Sequence, residues 1–123
     1  MITETIPINY KYDITVDALM IKVDKYEHET SVPLTDDIIM DLNEKGEFIA
    51  LEILNASHVL DTTPESLENI TNIDLTVKVN DYQIFINSIF TLPVKDHEEI
   101  KATNATTTND TNIPFMDARL ATA

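Results

Sequence analysis

A chain of 123 residues and 13.9 kDa has room for one domain with one hydrophobic core. Its apolar content of 43% is that of a folded protein, and the absence of cysteine excludes disulfides, thiol catalysis and thiolate metal sites together. Eight basic against 22 acidic residues leave a net charge of −14, which repels a phosphate backbone and favours cations or a basic protein as partners instead of nucleic acid.

The opening MITETIPIN has no basic-then-apolar leader pattern, and no apolar run approaches the ~20 residues of a membrane span, so a cytoplasmic protein without membrane association is expected. IPINYKY (6–12) alternates Ile6, Ile8, Tyr10 and Tyr12 with polar positions, and ALMIKVD (18–24) alternates Leu19, Ile21 and Val23; both read as strands. After the acidic DKYEHET loop, DIIMDL (37–42) and EFIALEIL (47–54) are two further strands rich in β-branched and aromatic residues. TTPESLENI changes the period: Thr62 or Thr63 caps, Pro64 enters the first turn, and Glu65 can complete a capping box with Thr62, which predicts a short helix over 64–72. IDLTVKVN and YQIFINSIF form a hairpin turning at Asn80-Asp81, with Val79 opposite Tyr82, Val77 opposite Ile84 and Leu75 opposite Ile86. From Lys101 the text KATNATTTNDTN is poor in apolar residues and reads as a flexible tail, followed by IPFMDARL at a disordered terminus. The expectation is one α+β domain over residues 1–100, mainly antiparallel sheet with one short helix covering one face, and a Thr/Asn-rich tail over 101–123.

DLNEKGEFIALE (41–52) matches the calcium loop of helix–loop–helix proteins at its first, third, sixth, eighth and twelfth positions. Its flanks IIM and ILNAS leave no room for two amphipathic helices, and Lys45 occupies a ligand position. NEKG instead makes a type I turn ending in a left-handed residue at Gly46, the chain's one glycine, so the stretch reads as a hairpin pairing Leu42–Phe48, Asp41–Ile49, Met40–Ala50 and Ile39–Leu51. That register makes both faces of the hairpin apolar. One short helix covers only one of them, so the face with Met40, Leu42, Phe48, Ala50 and Leu54 calls for a second cover. A homodimer through these five residues is the preferred solution, with Ile113, Phe115 and Met116 folding back as the competing one.

YDITVDALMIKV (12–23) followed by DDIIMDLNEKGEFIALEILNAS (36–57) resembles the small bacterial and archaeal family called domain of unknown function 2283, over roughly residues 8–60. Ala50 stands where that family usually has glycine, and Met20 where it often has an aromatic residue. The resemblance implies a small α+β domain with no established activity, and an antitoxin-like pairing with a small basic protein.

No enzyme is expected. A single glycine cannot build a phosphate-cradling loop or a nucleophile elbow; His28, His58 and His97 are scattered; the serines have no nucleophile context. Asp13, Asp17 and Glu52 could converge on a cation, although Asp13 and Asp17 also suit backbone capping in the turn DITVD. Asp36 and Asp37 with Asp41 supply further hard oxygen ligands. The expected function is a non-catalytic protein-interaction module without a cofactor, with calcium or another divalent cation bound by these surface carboxylates as the alternative.

Overall fold

The computed structural model describes residues 5–122. Nine strands form one continuous sheet: β1 (Thr5–Asp13), β2 (Ala18–Val23), β3 (Thr30–Pro33), β4 (Ile38–Leu42), β5 (Phe48–Ile53), β6 (Asn72–Val79), β7 (Gln83–Val94), β8 (His97–Thr108) and β9 (Met116–Ala121). Their order is β3-β4-β5-β2-β1-β9-β6-β7-β8. All neighbours pair antiparallel except β1 and β9, which run parallel. The sheet curls into a half-barrel, and its concave side carries one continuous core from Leu19, Ile21, Leu51 and Ile53 of the first half to Leu75, Val77, Ile86 and Phe90 of the second.

The expected α+β architecture is therefore replaced by an essentially all-β one. Helix is confined to α1 (Ala56–Val59) and α2 (Pro64–Leu67), four residues each. Thr63 caps α2 by accepting from the Ser66 amide, but the helix ends at Leu67, far short of residue 72. Only two apolar residues, Leu67 and Ile70, follow the proline before β6 begins, too few to drive a longer amphipathic helix. The two turns plug one end of the curl with Ala56, Leu60, Leu67 and Ile70. The sheet covers its own concave face.

The tail expected from Lys101 is also overturned. Residues 97–108 form the twelve-residue strand β8, paired along its full length with β7. Thr103, Ala105 and Thr107 face the core side, and β-branched threonine suits a strand that is exposed on its other face. After it, the Asn109 side chain donates to the carbonyls of Asn80 (2.8 Å) and Ile113 (2.9 Å) and accepts from the Ile113 amide (2.8 Å). This pins a connection that buries Ile113 and leads into β9. Met116, Ala118 and Leu120 of β9 then point inward. Residues 1–4 and Ala123 lie outside the described part.

Both hairpins form with altered registers. Asn80 accepts from the amides of Tyr82 and Gln83, which moves the turn one residue along, to Asp81-Tyr82. Val79 then pairs with Ile84 and Val77 with Ile86, a slip of two residues that keeps these four on their expected face but moves Tyr82, expected opposite Val79, into the turn, where it is exposed. In the Gly46 hairpin, Gly46 takes φ +77°, donates to the Asn43 carbonyl (3.0 Å), and Leu42 pairs with Phe48 as expected. Beyond that pair a β-bulge intervenes, so Asp41 opposes Ala50, Met40 opposes Leu51 and Ile39 opposes Glu52. A Cβ on Gly46 would stand 2.7 Å from Cδ of Pro114. Left-handed strain and this overlap add, so Gly46→Ala is expected to cost about 2–3 kcal/mol, read as a lower urea midpoint at unchanged slope.

The bulge disposes of the uncovered face. Ile38, Met40, Leu42, Phe48, Leu51 and Ile53 all share the concave side, and the convex side keeps Ile39, Asp41, Ala50 and Glu52. Met40, Leu42, Phe48 and Ala50 are 0%, 1%, 7% and 0% exposed within the single chain, so the residues expected to meet a second copy are covered intramolecularly. Leu54 is 37% exposed at the strand end.

A buried carboxylate pair as candidate functional site

The convex face of the first half-sheet holds a polar cluster. Asp41 on β4 is fully buried there, because the β2–β3 connection, residues 24–29, folds over it. Ser31 Oγ donates to Asp41 Oδ1 at 2.6 Å, and His28 Nε2 lies 2.8 Å from Ser31 Oγ and 3.7 Å from Asp41 Oδ1. Tyr26 stacks on His28 with ring centroids 6.2 Å apart, and Lys22 Nζ sits 5.7 Å from the Tyr26 ring centre. The second oxygen of Asp41, Oδ2, is buried without a hydrogen-bond partner among the described residues.

Glu52 is a candidate partner for that orphan. It lies on β5 opposite Ile39, diagonal to Asp41 on the same face, and hydrogen-bonding proximity to the Asp41 carboxylate, then burial, then repulsion by the Asp41 charge raise its pKa from the ordinary 4.5 to about 7. Protonated, Glu52 can donate to the Asp41 carboxylate, which the Tyr26 phenol also approaches. Burial, and then the charges of Asp41 and Glu52, likewise push the Tyr26 phenol up.

Ser31 is not arranged as a nucleophile. Its only proton points to Asp41, so from His28 it accepts, with the histidine proton on Nε2. Nucleophile activation requires the opposite direction of that second bond.

The other candidate carboxylates are spent on the fold. Asp17, at φ 52°, accepts from Tyr12 Oη (2.6 Å), Ser57 Oγ (2.7 Å) and the Ser57 amide (3.0 Å), while its carbonyl receives the Ala56 amide (2.9 Å). Partial burial opposes ionisation of Asp17, but the bonds from Tyr12 and Ser57 outweigh it and hold its pKa low. Burial and the bond to Asp17 push the Tyr12 phenol far up. This clamp ties the β1–β2 turn to the start of α1. Asp13 is exposed and held low by the Thr15 hydroxyl and amide. Asp37 accepts from the Asn55 amide group at 2.9 Å, and Asp36 is exposed in the turn before β4. Of the six candidates only Asp41 and Glu52 come together. Among the described residues, no three carboxylate or imidazole groups converge on one point.

Sequence reasoning missed His28, Ser31 and Tyr26, because Ser31 meets Asp41 only through the β3–β4 pairing, and Tyr26 and His28 only when the acidic loop folds back over β4. Beside Glu52 the convex face opens into a groove of about 290 Å³ lined by Lys11, Asp13, Val16, Met20 and Leu54 among others. No helix among the described residues is long and apolar enough to cross a membrane.

A protein of Methanosarcina mazei described as "Putative hypoxanthine phosphoribosyltransferase" is 26% identical over 112 residues, spanning 91% of this chain and 90% of that relative. No solved structure matches. The family resemblance seen in the sequence holds: residues 9–57, which run from within β1 into α1 and carry the clamp, Asp41 and Glu52, match the family described as protein of unknown function DUF2283.

Proposed function

We propose that the protein is a non-catalytic interaction module whose first half-sheet receives a basic side chain of a partner protein at Glu52. The observation that carries this reading is Glu52 lining the groove on the same face as Asp41, whose Oδ2 is buried without a hydrogen-bond partner among the described residues. A guanidinium can take the place of the Glu52 proton, since it supplies fixed donors to carboxylate oxygens and needs no third acidic ligand. Its aliphatic stem would lie against Val16, Met20 and Leu54. A calcium ion takes six to eight oxygen ligands, and among the described residues no three acidic or imidazole groups converge to supply them. The name of the Methanosarcina relative is not carried over: a phosphoribosyl transferase must cradle phosphates, and here the one glycine is enclosed against Pro114 in a chain of net charge −14.

Calorimetric titration with a short arginine-rich peptide at pH 6.5, in two buffers of different ionisation enthalpy, tests this. Saturable binding should release up to about one proton per site, and Glu52→Gln should weaken it about tenfold. Equal binding to both proteins with no proton release would refute it. Saturable calcium binding lost in Glu52→Gln, with no response to the peptide, would favour the cation reading.

A further inference from the structure

The two edges of the sheet are built differently. β3 has four residues, ends in Pro33 and is bordered by Glu29, Asp36 and Asp37, which are the features that stop strand-to-strand association. β8, at the other edge, has twelve residues, contains no proline, and pairs with β7 in a single unbroken register from Gln83↔Thr108 to Val94↔His97. From Ala102 to Asn109 it carries no charged side chain, in a chain whose net charge is −14. Among the described residues no strand lies on its far side.

We infer that β8 is a self-pairing edge: two copies of the chain join their β8 strands antiparallel across a two-fold axis at Ala105. The choice of a second copy rests on charge and register. Two strongly acidic chains repel at most surfaces, and Ala102–Asn109 is where they approach without opposing like charges. With Ala105 on the axis, Asn104 faces Thr106 of the other copy, Thr103 faces Thr107, Ala102 faces Thr108 and Lys101 faces Asn109. Every pair is uncharged or carries a single charge. The isologous contact closes on itself, whereas a displaced register would leave edge groups free for further chains. Residues directly opposite share a face, so Ala105 and Thr103 of both copies continue one concave lining, and Asn104 and Thr106 continue one polar outer face. This surface is remote in the strand order from the β4–β5 site, and the inference does not depend on the function proposed for that site.

Sedimentation equilibrium of the full chain tests it over a range of about 5–500 µM. A reversible monomer–dimer equilibrium is expected. Asn104→Lys with Thr106→Lys sets lysine against lysine twice across the axis and should raise the dissociation constant at least about tenfold. Asn104→Lys with Thr106→Glu sets lysine against glutamate twice and should restore the wild-type constant or tighten it, an outcome that only the register centred on Ala105 produces. Circular dichroism melts exclude misfolding as the cause: both variants lose the exposed Asn87–Asn104 side-chain bond (2.6 Å) alike, so both should unfold cooperatively at a similar temperature, close to that of the wild type. A monomer throughout the range, open-ended aggregation, a dimer indifferent to the lysine pair, or failure of the lysine–glutamate variant to recover would each overturn the proposal.

Discussion

A chain ending at Pro114 is expected to lose its cooperative unfolding transition. β9 is the last strand in sequence and the sixth from the β3 edge in space, the link between β1 and β6. Without it Thr5–Pro7 lose their pairs with Arg119–Ala121, and the six pairs from Asp74↔Ala121 to Val79↔Met116 disappear. Leu120, 1% exposed, also leaves the core, a loss of roughly 1.5–3 kcal/mol by itself. Two half-sheets with opened inner edges and a divided core would remain, and the total exceeds what a stability of about 5–15 kcal/mol tolerates. Leu120→Asp is the milder form, burying an unpaired charge at a cost of roughly 3–5 kcal/mol. Urea titration followed by circular dichroism reads both. A truncated chain that unfolds cooperatively at the full-length midpoint would show that the halves hold together without β9.

Stability is expected to fall between pH 5 and pH 8, and Glu52→Gln to abolish that fall. The folded pKa of Glu52 is raised, from 4.5 to about 7, so between these values the native state holds a proton that the unfolded chain has released. Its contribution is complete below about 4.5 and is lost as pH rises through about 7. Glu52 is only partly buried, so solvent screening reduces the effect to on the order of 1–2 kcal/mol, or roughly 3–8 °C in Tm. Glutamine keeps a permanent donor beside Asp41 Oδ2, so the variant should match the wild type near pH 5 and exceed it near pH 8. Comparing the two proteins isolates Glu52 from other groups that titrate over the same range. Parallel pH profiles would mean that Glu52 does not donate to Asp41.

Much of the strand content was legible in the residues. Alternation in IPINYKY, ALMIKVD and IDLTVKVN gave strand identity and core face, because a period of two survives any slip of two residues; the β6–β7 hairpin formed with a displaced turn and the same faces. Gly46 identified its turn, since few other residues adopt that backbone angle. The family signature likewise lies in the residues that build the Tyr12–Asp17–Ser57 clamp. Low hydrophobicity from Lys101 onward does not mean disorder here, because the segment pairs along β7. An edge strand needs only one neighbour and a few inward methyl groups, which Thr103, Ala105 and Thr107 supply.

Sequence alone thus determined the local periods, the turn at Gly46, the strong negative charge and the family match of residues 9–57, all properties carried by near neighbours along the chain. Tertiary structure decided the rest. In an unbroken hairpin Asp41 and Glu52 would point to opposite faces; the one-residue bulge at Asp41 and Leu42 puts them on the same face and places Met40, Leu42 and Phe48 inside the core. The insertion of β9 between β1 and β6 was equally invisible, because it is set by which open edges remain when the other strands have paired, and no local pattern records that.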